Sequence, residues 1–420
     1  MNKNKITIVG LGYTGLPLLI EFYKKNYIVS GFDKDVEKIK RLKTGIDYTK
    51  EVQAKDLRIL KKINLVDNIK DIVSTDIFII AVPTPILKDN TPDLKYLEDA
   101  TKIVSKVLKP NNIVVYESTV YPGCTEEVCV PILERYSGLK YNKNFFCGYS
   151  PERINPGDKK RGITKVVKVT SGSDISTSKK IDKLYKSIVG AGTHMAPNIK
   201  TAEAAKVIEN IQRDINIAFV NELAMLFGKL KINTVDVLKA AETKWNFHSY
   251  KPGLVGGHCI SVDPYYLTYK AKKVNYNPRI ILSGRKINNN VARYIAKNIK
   301  KKLVKKKNDI LILGFAFKEN CPDFRNSRIV DLTKELKNNK VYIYDPVINL
   351  NEAKTKYRLN FLKNITNKKF DAIILAVTHD AFKSYLKKKV FKNLKDDGFI
   401  YDVKSYLKPN ERIISLWKNI

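Results

Sequence analysis

The first thirty-three residues restrict the fold more than any other part of the chain. A short β-branched run, Ile6-Thr-Ile-Val9, leads into Gly10-Leu-Gly12-Tyr13-Thr-Gly15. A helical pattern follows over Leu16 to Lys25, then a second apolar run, Tyr27 to Phe32, ending in Asp33. Short, wholly apolar strands of this kind belong to parallel sheets covered on both faces. G-x-G-x-x-G alone is a weak signal. Between a strand and a helix, with an acid about 20 residues on, it becomes the dinucleotide-binding arrangement. Gly10 permits the tight turn, Gly12 lets a pyrophosphate approach the backbone, and Gly15 lets helix and strand pack closely. The helix N-terminus then faces the phosphates. Asp33 is placed to accept hydrogen bonds from the adenosine ribose hydroxyls and would repel a 2′-phosphate, so NAD is expected over NADP.

The strand pattern recurs. Asp76 to Val82 is another buried strand, ending at Pro83-Thr84-Pro85, and Asn112 to Glu117 another, ending at Ser118-Thr119. Ligands of such sheets bind beyond the carboxyl ends of the strands, which makes Thr84 and Thr119 candidates for the cofactor edge. On position alone both also fit ordinary strand-end or N-cap residues. From Ile199 to Leu230 the chain has no Pro, one late Gly and helical apolar spacing, predicting one helix of about thirty residues that links two lobes or forms a dimer seam. Lys206 and Asn210 share a face of it, with Glu203 one turn earlier. A Lys laying its stem along apolar surface satisfies the Lys206 pattern equally well.

After Lys307 the first pattern returns: Asp309 to Gly314 echoes Lys5 to Gly10, Lys340 to Asp345 echoes Val29 to Asp33, and Asp371 to Val377 echoes Asp76 to Val82. The glycine fingerprint is missing from this copy, which implies a different ligand. The expected fold is α/β, two Rossmann-like doubly wound domains joined by a long central helix, with a ligand cleft between the lobes. The expected boundaries are 1–195 for the NAD-binding domain, 196–300 for a central helical, dimerising domain, and 301–420 for a second nucleotide-binding-like domain. A length of 420 residues accommodates this at roughly 150 residues per domain.

Composition narrows the function. The chain carries 77 Lys plus Arg against 42 Asp plus Glu, formally +35, which favours an anionic partner. The surplus is mostly Lys and is spread along the chain, apart from the run Lys300 to Lys307; nucleic-acid surfaces lean on the forked Arg side chain. No helix-turn-helix, RNP-like or zinc motif accompanies the charge, so no nucleic-acid partner is expected. Five Cys and four His show no disulfide framework and no metal-ligand spacing. With no signal-peptide pattern at the start and no bilayer-length apolar stretch, the expectation is a cytoplasmic protein without a membrane partner, its thiols reduced.

One cysteine stands apart. In Pro252-Gly-Leu-Val-Gly256-Gly257-His258-Cys259-Ile-Ser-Val-Asp263, glycines surround the thiol and a carboxylate follows at i+4. A thiolate beside a nicotinamide suggests capture of an aldehyde as a thiohemiacetal and oxidation to a thioester. The other four Cys read as small buried hydrophobes.

Several motifs in order are recognisable over essentially the whole chain: GLGYTGLP at the start, AVPTP (81–85), ESTVYPG (117–123), SPERINPG (150–157), EAAKVIEN (203–210), PGLVGGHCISVDPYYL (252–267) and FAFKENCPDFRNS (315–327). The chain resembles the UDP-glucose/GDP-mannose dehydrogenase family, and within it most the UDP-N-acetylhexosamine (UDP-N-acetylglucosamine) 6-dehydrogenases of bacterial capsule and O-antigen pathways. Plain UDP-glucose enzymes usually place a Lys where this chain has Val262. The resemblance implies NAD-dependent four-electron oxidation of a sugar C6 hydroxyl to a uronate, with UDP-N-acetylmannosamine or UDP-glucose as alternative substrates; the length of the central helix adds the expectation of a homodimer through it. It implies Cys259 as nucleophile, Lys206 and Asn210 around the oxyanion, Asp263 and Thr119 positioning water, and Glu152 as general base or hydrolysis partner. For Glu152, the neighbouring Arg153 offers an ordinary ion-pair partner instead. The implied cofactor set is Gly10, Gly12, Tyr13, Gly15, Asp33, Lys38, Thr84, Thr119 and Arg325. The implied substrate set is Glu152, Arg153, Lys206, Asn210, Gly256, Lys318 and Lys404, the last replacing a common Arg. A two-electron hydroxyacid-type dehydrogenase would share the first lobe and the long helix but would need neither Cys259 nor the second lobe.

Overall fold

A computed structural model describes residues 4–47, 52–72, 74–154, 162–257, 260–365 and 367–417. The chain divides into two compact units, Met1–Glu209 with Tyr265–Tyr276, and Asn210–Pro264 with Asn277–Ile420.

The first unit is built on an eight-stranded sheet. Its strands are β1 (Lys5–Val9), β2 (Ile28–Phe32), β3 (Asn64–Val66), β4 (Ile77–Ile80), β5 (Ile113–Tyr116), β6 (Phe146–Tyr149), β7 (Lys168–Gly172) and β8 (Thr193–Met195), in the order β3-β2-β1-β4-β5-β6-β7-β8. All neighbours are parallel except β6 with β7. The order reverses between β1 and β4, and there the register pairs Val9 with both Phe32 and Ile80. Gly10, Asp33 and Ala81 therefore leave the sheet at one edge, the switch point where open α/β sheets bind ligands. Every residue of β4 and β5 is buried, as the unbroken apolar runs require. Helices cover the sheet; Leu16, Leu18, Leu19 and Phe22 of the helix Gly15–Lys24 join Ile6 and Ile8 in the core.

The second unit repeats the pattern with five parallel strands, β9 (Asp309–Leu313), β10 (Lys340–Tyr344), β11 (Phe370–Leu375), β12 (Leu394–Asp402) and β13 (Ile413–Ser415), ordered β10-β9-β11-β12-β13. This is the order β2-β1-β4-β5-β6 of the first sheet, so the echo read in the sequence is a repeat of topology. The helix Arg279–Lys302 buries Val291, Ile295 and Ile299 against Ile310 and Ile312.

The long helix spans Ile199–Leu230, the predicted bounds, and the division between the units falls inside it. Its buried residues include four polar ones, Glu203, Lys206, Asp214 and Asn221. Buried polar groups need partners, and Glu203, Asp214 and Asn221 each have one on another segment. Arg285 donates to Asp214 at 2.6 Å, and the Asn221 side chain brackets the backbone of Gly253 with bonds of 2.7 and 3.1 Å. No helix among the described residues is long and apolar enough to cross a membrane.

Candidate active site

The glycine turn after β1 has the geometry its spacing predicts. Gly10 has φ +94°, and a Cβ there would lie 2.7 Å from the Ala81 carbonyl; one on Gly15 would lie 1.9 Å from the Gly10 carbonyl. Neither position admits a side chain. A Cβ on Gly12 would meet nothing within 4 Å, so the space over the middle of the turn is open. No acidic residue occupies the first turn of the helix that follows, leaving its N-terminal amides to favour an anion. Asp33 is buried at the end of β2. Its Oδ2 accepts the Leu11 amide at 2.9 Å and the Lys38 ammonium at 2.7 Å, and its Oδ1 accepts the Asp35 amide at 3.0 Å. The acid thus holds the glycine turn, and Lys38 stands beside it. Tyr13 is half-buried within the turn. This cradle fits a dinucleotide: open above Gly12, closed at Gly10 and Gly15, acidic at the ribose end.

Further along the same edge the loops after β4 and β5 are tied together. The Thr84 hydroxyl donates to the Thr119 carbonyl at 2.7 Å, and the Ser118 hydroxyl donates to the Val82 carbonyl at 2.7 Å. Tyr266, fully buried, donates to the carbonyls of Thr84 and Pro85 at 3.0 and 3.1 Å. Beyond β6, Glu152 Oε1 accepts the amides of Arg153 and Ile154 at 2.6 Å each, while its buried Oε2 has no partner among the described residues. The Arg153 guanidinium turns away from Glu152. It pairs with Glu209 of the long helix at 2.7 Å and donates to the Val167 carbonyl at 2.6 Å. Glu152 is therefore not neutralised by its neighbour.

Lys206 is only 7 % exposed and makes no ion pair or hydrogen bond among the described residues. Its stem is packed among neighbours while its ammonium has no counter-charge among the described residues, which fits both a Lys laying its stem along apolar surface and a cation open to an anion. One turn earlier, Glu203 is wholly buried and accepts the amides of Gly123 at 2.5 Å and Thr125 at 2.9 Å. Burial pushes its carboxyl up to about 7, the bonds from Thr125 and Gly123 offsetting only part of that rise. Deeper in the sheet, Glu117 pairs with Lys168 and accepts the Tyr185 hydroxyl at 2.5 Å; burial raises its carboxyl to about 7 despite the ammonium.

In the second unit, Asn210 Nδ2 donates to Asp263 Oδ2 at 2.6 Å, joining two predicted residues 53 positions apart. Asp263 is buried at the start of the helix Asp263–Lys273. Cys259 lies outside the described residues. The loop leading to it is anchored: Gly257 and Asn326 exchange bonds of 3.3 Å, and Arg328 Nε donates to the Val255 carbonyl at 3.1 Å. A Cβ on Gly256 would lie 2.8 Å from the Asn326 carbonyl, so the loop and the 315–328 segment touch through their backbones. On that segment, the half-buried Lys318 lies 5.3 Å from the Phe317 ring centroid, and Arg325 grips Asp323 with Nε and Nη2 at 2.6–3.1 Å. Lys404, beyond β12, pairs with Glu319 at 3.0 Å. Burial would raise the Glu319 carboxyl, but the Lys404 charge holds it below its ordinary value. The counterpart of Asp33 here is Asp345, which accepts the amides of Phe315 and Ala316 at 2.6 and 2.9 Å and is capped by His379 Nε2 at 3.0 Å. The two strand-end acids are thus held alike by loop amides and differ in the side chain that pairs with them, Lys38 in the first unit and His379 in the second.

The structure thus unites Asp33 with Lys38, Thr84 with Thr119, and Asn210 with Asp263. Arg153 is bonded to Glu209. Ser118, Tyr266, Glu209 and Glu117 were not singled out in the sequence; only Glu117, an acid ending an apolar strand, carried a local signal of buried pairing.

Three family models match in succession: the UDP-glucose/GDP-mannose dehydrogenase family NAD binding domain over residues 4–189, its central domain over 200–290, and its UDP binding domain over 311–409. The chain is 48% identical to a protein of Pseudomonas aeruginosa named UDP-N-acetyl-D-glucosamine 6-dehydrogenase, covering 97% of this chain and 98% of that one. It is 49% identical to Protein CapL of Staphylococcus aureus, covering 100% of each. Among solved structures, a UDP-D-ManNAc dehydrogenase from Pyrococcus horikoshii superposes with a TM-score of 0.87 at 29% identity, covering 99% of this chain and 100% of that one.

Proposed function

The chain belongs to the UDP-glucose/GDP-mannose dehydrogenase family, and on that premise we propose that it oxidises the C6 hydroxyl of a UDP-N-acetylhexosamine, UDP-N-acetylglucosamine or its galacto epimer, to the uronic acid. The observation that carries this substrate is the 48% identity, along nearly the full length of both chains, to a protein named for that activity. Overall, one CH2OH group, two NAD+ and one water give one carboxylate, two NADH and three protons.

When bound, NAD supplies a hydride acceptor next to the carbon being oxidised. The glycine turn and helix N-terminus bind its pyrophosphate, Asp33 and Lys38 its adenosine ribose, and Thr84, Thr119, Tyr13 and Arg325 complete its surroundings. Lys206 brings an unneutralised ammonium to the oxygen that gains negative charge, an electrostatic contribution that needs no reorganisation because the helix holds it. Asn210 shares that task and, by donating to Asp263, orients the carboxylate. Cys259 Sγ adds to the C6 aldehyde carbon, whose oxygen takes the charge. After the second oxidation the acyl group is held as a thioester, and Glu152 takes a proton from the water that Thr119 and Asp263 orient, releasing the carboxylate and the thiol. Glu152 suits this because one oxygen is fixed by two amides and the other is unoccupied among the described residues. Arg153, Gly256, Lys318 and Lys404 bind the UDP-sugar; a Lys at 404 keeps the charge of an Arg without its fork. We place the enzyme in the cytoplasm, as a homodimer through the long helix, serving capsule or O-antigen synthesis.

The test is a panel of UDP-sugars with NAD, ranked by kcat/KM. UDP-N-acetylglucosamine or UDP-N-acetylgalactosamine is expected to lead by at least tenfold. A lead by UDP-glucose or UDP-N-acetylmannosamine would overturn the substrate, and no oxidation of any of them would overturn the function.

A further inference from the structure

The buried carboxylate of Glu203 has no part in the chemistry above, yet it joins two segments that do. It projects from the long helix one turn before Lys206 and receives the amides of Gly123 and Thr125, 80 and 78 residues earlier. Those amides end the Thr119-Val-Tyr-Pro-Gly123 segment and open the π-helical turn Thr125–Cys129. The amides at the start of a helical turn have no partner within it, and π turns occur disproportionately at functional sites. Glu203 supplies the missing acceptors from a distant element.

The segment is held elsewhere too. Its Thr119 carbonyl accepts the Thr84 hydroxyl, and its Tyr121 ring lies 5.4 Å from Tyr269. One turn beyond Lys206 the helix has a second polar anchor, Glu209 to Arg153, on the segment that carries Glu152. Lys206 therefore lies between two carboxylates that bind the helix to the loops after β5 and β6. A surface residue in that role would be replaceable; a fully buried carboxylate is costly unless its bonds are needed.

We propose that Glu203 is a positioning residue: its carboxylate, bound to the Gly123 and Thr125 amides, sets the Thr119 segment and Lys206 in register with each other, so that the oxyanion contact and the water contact form together. The proposal rests on the catalytic reading of Lys206 and Thr119. A glutamine at 203 retains one acceptor oxygen and turns an N–H2 toward a second donor, so one amide loses its partner and the register loosens while the core stays filled.

The experiment is a double-mutant cycle on the full-length protein with UDP-N-acetylglucosamine and NAD at pH 8.5, where the Glu203 carboxyl is ionised: wild type, Glu203→Gln, Lys206→Met and both together. Melting temperature and NADH affinity by fluorescence are measured for each. Glu203→Gln is expected to bind NADH within about twofold of wild type and to lose at least tenfold in kcat with little change in KM. In the Lys206→Met background it should cost less than twofold, because its effect passes through a contact already removed. Equal losses in both backgrounds would mean a merely structural role and overturn the proposal, as would an unchanged kcat. Full activity in Lys206→Met would overturn the catalytic reading beneath it, a result distinct from the other two. Should Glu203→Gln not fold, Glu203→Asp keeps the charge on a shorter stem; it should show the same kcat loss confined to the Lys206 background, and wild-type kcat there would overturn the proposal.

Discussion

At the residue scale the candidate site depends on which charges are paired. Arg153 is paired, Lys404 is paired, Asp33 is shared between the glycine turn and Lys38, and Lys206 has no partner among the described residues. Glu203 adds a measurable pH signature. Its carboxyl rises from 4.5 to about 7 in the folded chain, first because it is buried. The folded state therefore keeps a proton that the unfolded chain releases, so Glu203's contribution to stability is full below pH 4.5 and is lost as pH rises through 7. Urea unfolding from pH 5 to 8 should show Glu203→Gln gaining on wild type as pH increases, by up to roughly 3 kcal/mol. A difference independent of pH would mean that the carboxyl is not raised. Pairings within one motif were legible in the sequence: the spacing of Asp33 from the glycines places it at the turn, and the i, i+4 spacing places Lys206 and Asn210 on one face. Pairings such as Glu203 with Gly123, or Arg153 with Glu209, were not, because helical spacing states which face a residue shares and not which loop that face meets.

At the scale of elements the sequence was most transparent where a strand or helix declares itself by period. The strands of both sheets begin and end within a few residues of their apolar runs, and the long helix has the predicted bounds. Less transparent was the edge of the first sheet: β7 pairs antiparallel with β6, and β8 is a short strand with little burial, so neither has the continuous apolar run of a central strand. The long helix carries a further consequence. Phe219 is 55 % exposed, and Leu226 and Leu230, seven and eleven residues later, are also exposed, giving an apolar stripe on the side opposite its buried polar residues. If the proposed homodimer forms through this helix, Phe219→Glu should shift sedimentation from dimer to monomer at micromolar concentration. A wild-type protein that already sediments as a monomer would contradict the assembly.

At the scale of the whole molecule, two sheets that share a five-strand order end in different carboxyl edges. The first keeps a glycine cradle and an acid shared with Lys38; the second pairs its acid with His379 and presents Lys318, Arg325 and Lys404. Two of these cations are paired with Asp323 and Glu319, and together the three account for only a small part of the formal charge of +35. Most of the surplus is lysine outside the proposed chemistry, where it can raise encounter rates with anionic substrates but not define the reaction. Family membership was legible because seven motifs recur in order. The contacts around them became visible only when the intervening loops were folded. Covalent capture of the aldehyde on Cys259, as proposed, would let one enzyme perform both oxidations. Counting NADH formed per UDP-N-acetylhexosamine consumed tests it most directly, with Cys259→Ala alongside. Two NADH per sugar are expected, and for the variant no uronate with NADH binding intact. One NADH per sugar with free aldehyde released by the wild type, or unchanged uronate formation by Cys259→Ala, would contradict it.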